Sequence, residues 1–314
     1  MARTKIYIPD EVKAKIKEHL NSKYPDAIEG YYSASEDEDS LTGDLGATFR
    51  IKNQKVNVKQ DEIKGIWKWS INYIKFRGRG NNATEKRLGA DGIIELKLDR
   101  GFRQEKKSVL FQSKKNWKQK DTKLIEQTAL LSTWREAAFI LNFTPEIYET
   151  FNIDTILKYQ GKKPEGLDNK NIAEFLGDDF LECLVGDADL AYDAKKKLLK
   201  WRTMEGMIVG TKFGINHRLT INVKAPKLGD YERFDKIIDN NDIHNYRMDA
   251  RVYEILSLPY NHNKTELKKA KKELALLYHP DKYSFLDDLE KSVLNRRMQE
   301  INHAYDELNN KMKK

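Results

Sequence analysis

The period of the apolar residues changes along the chain, and no single layer of secondary structure can bury both patterns. In the first 230 residues, strand-like text is interleaved with helix-like text. The segment IWKWSINYI places Trp67, Trp69, Ile71 and Tyr73 on one face by alternation. IIELKL (93–98) and SVLF (108–111) flank DRGFRQEKK, which reads as a hairpin connection. Everything after about residue 247 is helical in pattern. An α/β or α+β layer followed by a small all-α module is therefore expected, with a charged, irregular linker over 231–247 between a domain at 1–230 and one at 248–314.

Helices are expected over 10–22 after Pro9 and over about 36–50, where Leu41, Leu45 and Phe49 recur every four residues. An amphipathic helix is expected over 121–143, carrying Leu124, Leu131, Trp134, Ala138 and Leu141. More helix follows over 150–230, then strand pairs such as MEGMIVG and RLTINVKAP.

Bulk properties narrow the class. The net charge of +8 over 314 residues suits a polyanionic partner. A single cysteine, Cys183, excludes an intramolecular disulfide or a cysteine-built zinc site and fits a reducing compartment. The N-terminal text MARTKIYIPDEVK lacks the apolar core of a signal peptide, and no run approaches membrane-spanning length. A cytoplasmic globular protein without a membrane partner is the expectation.

In the C-terminal module, Leu267, Ala270, Leu274 and Tyr278 form one apolar stripe, and Val293, Met298, Ile301, Tyr305 and Leu308 another. Pro280 denies its predecessor a helical conformation, so the first of these helices must end at His279. Lys264, Lys268 and Lys272 line one face, with Lys269 and Lys271 beside them. A solvated charge face is the simplest reading of such a run. However, RVYEILSLP, then KTELKKAKKELALLYHPDK, then RRMQEINHAYDELNN resembles a J domain of the DnaJ family over about 249–310. The resemblance implies that His279, Pro280 and Asp281, with Lys268, Lys269 and Lys272, dock on a DnaK-type chaperone ATPase and stimulate its ATP hydrolysis. The module stands at the C-terminal end of this sequence with no glycine/phenylalanine-rich segment after it. Cargo or activity should therefore lie in the first 230 residues.

There the strand text VLFQSKK runs from apolar to polar. Gln112 and Lys114 share one face by alternation, and an antiparallel hairpin about a turn near 101–102 puts Asp91 opposite Gln112. Glu95 falls roughly 13 Å from Asp91 along the strand, too far to share an ion. A carboxylate, an amide and an ammonium gathered beside an apolar core are costly unless something such as a divalent cation compensates them. Asp91 in LGADG, then Gln112 and Lys114 in FQSK, resemble the PD-(D/E)XK nuclease superfamily, in particular its Mrr-like branch, where the last acid is often glutamine. The fold implied is a restriction-endonuclease-like mixed sheet with flanking helices.

That resemblance implies a magnesium ion, with manganese as a substitute, held by Asp91, the Gln112 amide, the Ser113 carbonyl and an upstream helical acid. Glu38 is the nominee for that acid. Its competing reading is a capping box from Ser35 to Glu38, in which it only satisfies the helix start. Glu85 is a competitor for the role, and Gln127 resembles an accessory position, although a buried amide bonding backbone explains it as well. Lys114 would orient or help deprotonate water. Arg77, Arg79 and Lys115 would grip phosphates, unless the basic loop at 76–82 has no such duty. Glutamine in place of an acid removes one charge and implies a slow or conditional nuclease.

The expected function is thus a DNA endonuclease tied to a chaperone ATPase, of the kind seen in bacterial anti-phage defence, with a companion regulatory protein. A non-catalytic J protein that binds nucleic acid or a protein client is the rival. A third possibility keeps the nuclease and uses the J domain only as an architectural contact.

Overall fold

The computed structural model describes residues 6–33, 37–60, 63–76, 89–101, 104–164, 169–202, 208–212, 214–226, 252–253, 255–256, 258, 262–279, 281 and 288–313. Arg77, Arg79, Glu85, Ser35, Pro280 and the linker 231–247 lie outside the described residues. The chain divides into two compact units, one over 4–229 and one that takes in 230–314.

The larger unit is built on a seven-stranded mixed sheet of order β1-β2-β10-β3-β4-β5-β6. Its strands are β1 (Ile51–Val58), β2 (Gly65–Lys75), β3 (Gly92–Asp99), β4 (Gln104–Lys115), β5 (Ala138–Phe143), β6 (Tyr148–Asn152) and β10 (His217–Lys224). Most neighbours are antiparallel, but β10 runs parallel to β3 and β4 runs parallel to β5. A three-stranded antiparallel sheet, β7 (Ala191–Asp193), β8 (Leu198–Arg202) and β9 (Ile208–Lys212), stands apart from it. MEGMIVG and RLTINVKAP therefore contribute to different sheets: β9 pairs with β8, whereas β10 is inserted between β2 and β3.

Two helices cover one face of the large sheet. The first, α1 (Asp10–Ser33), is longer than the expected 10–22 and continues through Pro25. A proline inside a helix costs about 3 kcal/mol. Here Ala27 and Tyr31 are buried beyond it, and the Tyr148 hydroxyl donates to the Ala27 carbonyl at 2.8 Å, so packing offsets the penalty. The second helix, α2 (Glu38–Thr48), buries Leu41 and Leu45, and Phe49 at its end is fully enclosed. On the same face of the sheet, Trp67, Trp69 and Ile71 are buried. The N-cap of α2 is Asp37, which accepts from the Ser40 N–H at 2.6 Å.

The expected helix over 121–143 is a correction. Only Thr122–Leu131 forms an α-helix (α3); a 3-10 turn follows over Ser132–Ala137, and AFILNF is β5. All six β5 residues are buried, as befits an inner strand covered on both faces, where apolar text becomes continuous. Beyond β6 come α4 (Ile153–Lys158) and α5 (Ile172–Glu174), the latter passing into a π-turn over Phe175–Phe180.

In the smaller unit, α6 (Lys264–Tyr278) opens on a capping box between Asn263 and Glu266 and buries Leu267, Leu274 and Tyr278. It packs against α7 (Asp288–Lys311), which buries Ile301, Ala304 and Leu308. Among the described residues, no helix is long and apolar enough to cross a membrane.

Candidate active site

Strand pairing brings three of the nominated residues together. Gly92 lies opposite Phe111, so the next step along the hairpin sets Asp91 against Gln112. The Asp91 backbone N–H donates to the Phe111 carbonyl at 2.9 Å and extends the ladder by one bond. One carboxylate oxygen, Asp91 Oδ2, accepts from Gln112 Nε2 at 2.7 Å and from the Ser113 N–H at 2.7 Å. Gln112 Nε2 also donates to the Ser113 carbonyl at 3.1 Å, so the amide nitrogen bridges two oxygens that a cation could join.

Enclosure of the Asp91 carboxylate pushes its pKa up to about 6. The negative charge of Glu38 adds to the rise, and the hydrogen bonds from Ser113 and Gln112 oppose it. The helix-start duty is performed by Asp37, so Glu38 stands at the first helical position rather than in a capping box. Glu95 is buried elsewhere on β3, against Lys97 Nζ at 2.9 Å and Thr220 Oγ1 at 3.3 Å.

Lys114 is buried, and its ammonium pairs with Asp121 Oδ2 at 3.1 Å. Asp121 is itself the N-cap of α3, accepting from the Leu124 N–H at 2.9 Å. Lys115 ends β4 opposite Phe143 and is half-exposed. Among the described residues, the buried Oε1 of Gln127 in α3 has no hydrogen-bond partner. Helix α3 packs tightly on the segment entering the site: Gly89 has φ +68°, and a Cβ there would come within 2.3 Å of the Gln127 carbonyl oxygen.

A second cluster carries no signal in the linear sequence. His217 is buried, and its Nε2 lies 2.7 Å from Asp39 Oδ1 while its Nδ1 shares a 2.7 Å hydrogen bond with the Tyr73 hydroxyl. Lys75 Nζ reaches Asp39 Oδ2 at 2.5 Å. Burial works against the Asp39 carboxylate, but Lys75 and His217 more than offset it and hold its pKa below the ordinary value. Burial, with the charge of Asp39, pushes Tyr73 up to about 12. The Asn216 and His217 N–H groups donate to the Asp91 carbonyl at 3.0 and 3.2 Å. Thr42 Oγ1 meets Ser113 Oγ at 2.9 Å and donates to the Glu38 carbonyl at 2.7 Å. These bonds fasten the first turns of α2, and Glu38 with them, to the strand ends that carry Asp91 and Ser113.

The oxygen-only set of Asp91, Glu38, the Ser113 carbonyl and the Gln112 amide suits a hard cation such as magnesium. A cation would relieve the raised pKa of Asp91, and Gln127 Oε1 is a buried acceptor that lacks a donor among the described residues. Gln112 would need its amide turned by half a rotation to present oxygen. Among the described residues there is no group of three or more His, Cys, Asp or Glu side chains placed to hold a metal ion, so such a site would depend on the amide and the carbonyl.

At the tip of α6, His279 leaves the helix with φ −62° and ψ 124°, the extended conformation that a following proline demands. The exposed His279 and Asp281 side chains approach to 3.5 Å. Lys268, Lys269 and Lys272 are exposed, whereas Lys271 is half-buried over the Tyr305 ring, 4.2 Å from its centroid.

The DnaJ domain family model matches residues 251–314. Chaperone protein DnaJ of Fusobacterium nucleatum subsp. polymorphum is 39% identical over 62 residues, which is 20% of this chain and 16% of that protein. The DnaJ homolog subfamily C member 7 homolog of Dictyostelium discoideum is 34% identical over 89 residues, 28% of this chain and 16% of that one. The chain thus spans about a sixth of the length of these curated relatives. The smaller unit contains a J domain. No solved structure matches the chain at the significance required.

Proposed function

We propose that the larger unit is a metal-dependent phosphodiesterase of PD-(D/E)XK type that cuts DNA, joined to a J domain that engages a DnaK-type chaperone ATPase. The observation that carries the enzymatic half is the enclosed Asp91 carboxylate, raised to about 6, with Glu38 nearby and with Gln112 and Ser113 in hydrogen-bond reach. Two acids held near one another at the end of a sheet are poorly matched to an apo protein at neutral pH and well matched to a divalent cation.

The residues that would hold the ion are Asp91, Glu38, the Ser113 carbonyl and the Gln112 amide oxygen. A bound magnesium or manganese ion supplies Lewis acidity toward a phosphoryl oxygen and acidifies water. The chain's own residues do the rest. The backbone N–H of Ser113 fixes the Asp91 rotamer. The Lys114 ammonium pairs with Asp121, and it would have to turn from that partner to balance the charge of a phosphodiester. His217 and Lys75 anchor Asp39, and through α2 they hold Glu38 near the strand ends.

The decisive experiment incubates the purified protein with plasmid and linear DNA in magnesium, manganese or chelator, beside Asp91→Ala and Lys114→Ala. The reading expects metal-dependent cutting, lowered at least a hundredfold in both variants. Cutting that survives both substitutions removes the site assignment.

The second reading, a nucleic-acid- or client-binding J protein without turnover, draws on one observation. The Gln112 amide donates its nitrogen to Asp91 and leaves the site internally bonded. No cutting under any metal condition would favour it. For the J domain, exposed His279, Asp281, Lys268, Lys269 and Lys272 support docking on an acidic groove of the ATPase.

A further inference from the structure

We propose that the exposed part of one face of the large sheet, over β1, β2 and the Lys224 end of β10, docks the phosphate backbone of duplex DNA. The inference rests on the DNA-cutting reading above and extends it to where the substrate lies.

Residues opposite one another in register share a face, and successive rows on that face are two residues apart. One row is Lys55, Lys68 and Lys224, with Asp99 at its end. The next holds Ser70, Asn222 and Lys97; then come Asn72, Thr220 and Glu95; then Ile74, Arg218 and Ile93. Two residues before Ile93 stands Asp91, with Gln112 opposite. The rows run along one face toward the candidate site, open at the lysine end and closed nearer the site, where Thr220, Glu95 and Ile93 are buried. From Asp99 to Asp91 the distance is about 26 Å at strand rise, the length of about eight base pairs.

The other face of β2 is sealed, since it holds the buried Trp67, Trp69 and Ile71. On the open face Lys55, Lys68, Asn72, Ile74 and Lys224 are exposed. Lys97 is met by Glu95 at 2.9 Å and Lys224 by Asp99 at 3.4 Å. Among the described residues, Lys55 and Lys68 have no carboxylate partner. Arg218 lies over the Phe76 ring, 5.2 Å from its centroid.

A solvated polar face would account for the exposure but not for the arrangement. Like charges directly opposite on neighbouring strands destabilise a sheet, yet Lys55, Lys68 and Lys224 stand side by side across three strands. A polyanion laid over the row turns that repulsion into attraction. None of the side chains in these four rows is aromatic, and Phe76 beyond Ile74 is taken up by Arg218 and Tyr192, so the lysine end lacks the stacking platform by which proteins hold single strands. Lysines flanked by asparagine, serine and threonine suit phosphate contacts along a paired duplex.

The test measures binding by fluorescence anisotropy in chelator, so that cutting cannot intervene, across a series of salt concentrations. The full chain is offered a labelled DNA duplex, the matching RNA duplex and each single strand. Lys55→Ala with Lys68→Ala should weaken duplex DNA binding about tenfold and lower the slope of log affinity against log salt by about 2. Lys15→Ala with Lys23→Ala removes the same charge from an exposed and a half-exposed position of α1 and should leave both near the parent values. The assignment is overturned if the two double variants behave alike, if the parent binds no duplex DNA, or if it prefers RNA or single strands. A parent that binds through Lys55 and Lys68 but never cuts sinks only the enzymatic reading. A parent that cuts and is indifferent to both lysines sinks only this one.

Discussion

At the scale of single residues, the Asp91 carboxyl couples stability to protons. Its pKa rises on folding from 3.8 to about 6, mainly through burial. Below pH 3.8 both the folded and the unfolded chain carry the proton, and stability is complete. As the pH climbs through about 6 the unfolded chain ionises more readily, so the folded chain loses up to about 3 kcal/mol. Asp91→Asn cannot ionise and escapes that loss. Urea denaturation in chelator should find it close to the parent at pH 4 and up to about 3 kcal/mol more stable at pH 7.5, a gap that saturating magnesium narrows. Gln112→Glu makes the opposite change. A third acid beside Asp91 and Glu38 should lower the melting temperature in chelator yet tighten manganese binding at least tenfold by calorimetry. Unchanged manganese affinity would mean that this cluster is not a metal centre.

At the scale of elements, α2 lies against β2 so closely that a glycine is required. A Cβ at Gly46 would stand 2.2 Å from the Tyr73 ring. Alanine is the better helix former by about 1 kcal/mol, but overpacking costs about 1–3 kcal/mol and the ring cannot retreat without disturbing its bond to His217. Gly46→Ala should therefore destabilise the larger unit by up to about 2 kcal/mol in a chemical melt. The β3–β4 hairpin was legible from sequence because it is local: alternation and one turn fix its register, and Asp91 against Gln112 follows. The 121–143 segment was misread because Trp134, Ala138 and Leu141 continue a helical spacing, while a short run such as AFILNF fits a doubly buried strand equally well. Helix α1 runs past its expected end because no local pattern reveals the burial of Ala27 and Tyr31 beyond Pro25. His217 could not have been found, since its partners Asp39, Tyr73 and Lys75 lie more than a hundred residues away.

At the scale of the whole molecule, the contact pattern separates a large mixed α/β unit from a small helical one. If the two work in series, damage to one should spare the chemistry of the other. His279→Gln in the full chain should abolish stimulation of a DnaK-type ATPase in a phosphate-release assay while DNA cutting in vitro is retained. Equal stimulation by variant and parent would remove the co-chaperone role. The sheet order also sets a schedule for biosynthesis. The strand that bonds to both β2 and β3, and whose leading amides grip the Asp91 carbonyl, is the last of the seven to be translated. A nascent chain halted before residue 217 therefore has a split sheet and an unanchored Asp91. The hairpin that sets Asp91 against Gln112 forms earlier, but its Asp91 end gains the support of β10 only when the ribosome is close to starting the J domain, so a prematurely released fragment should be insoluble.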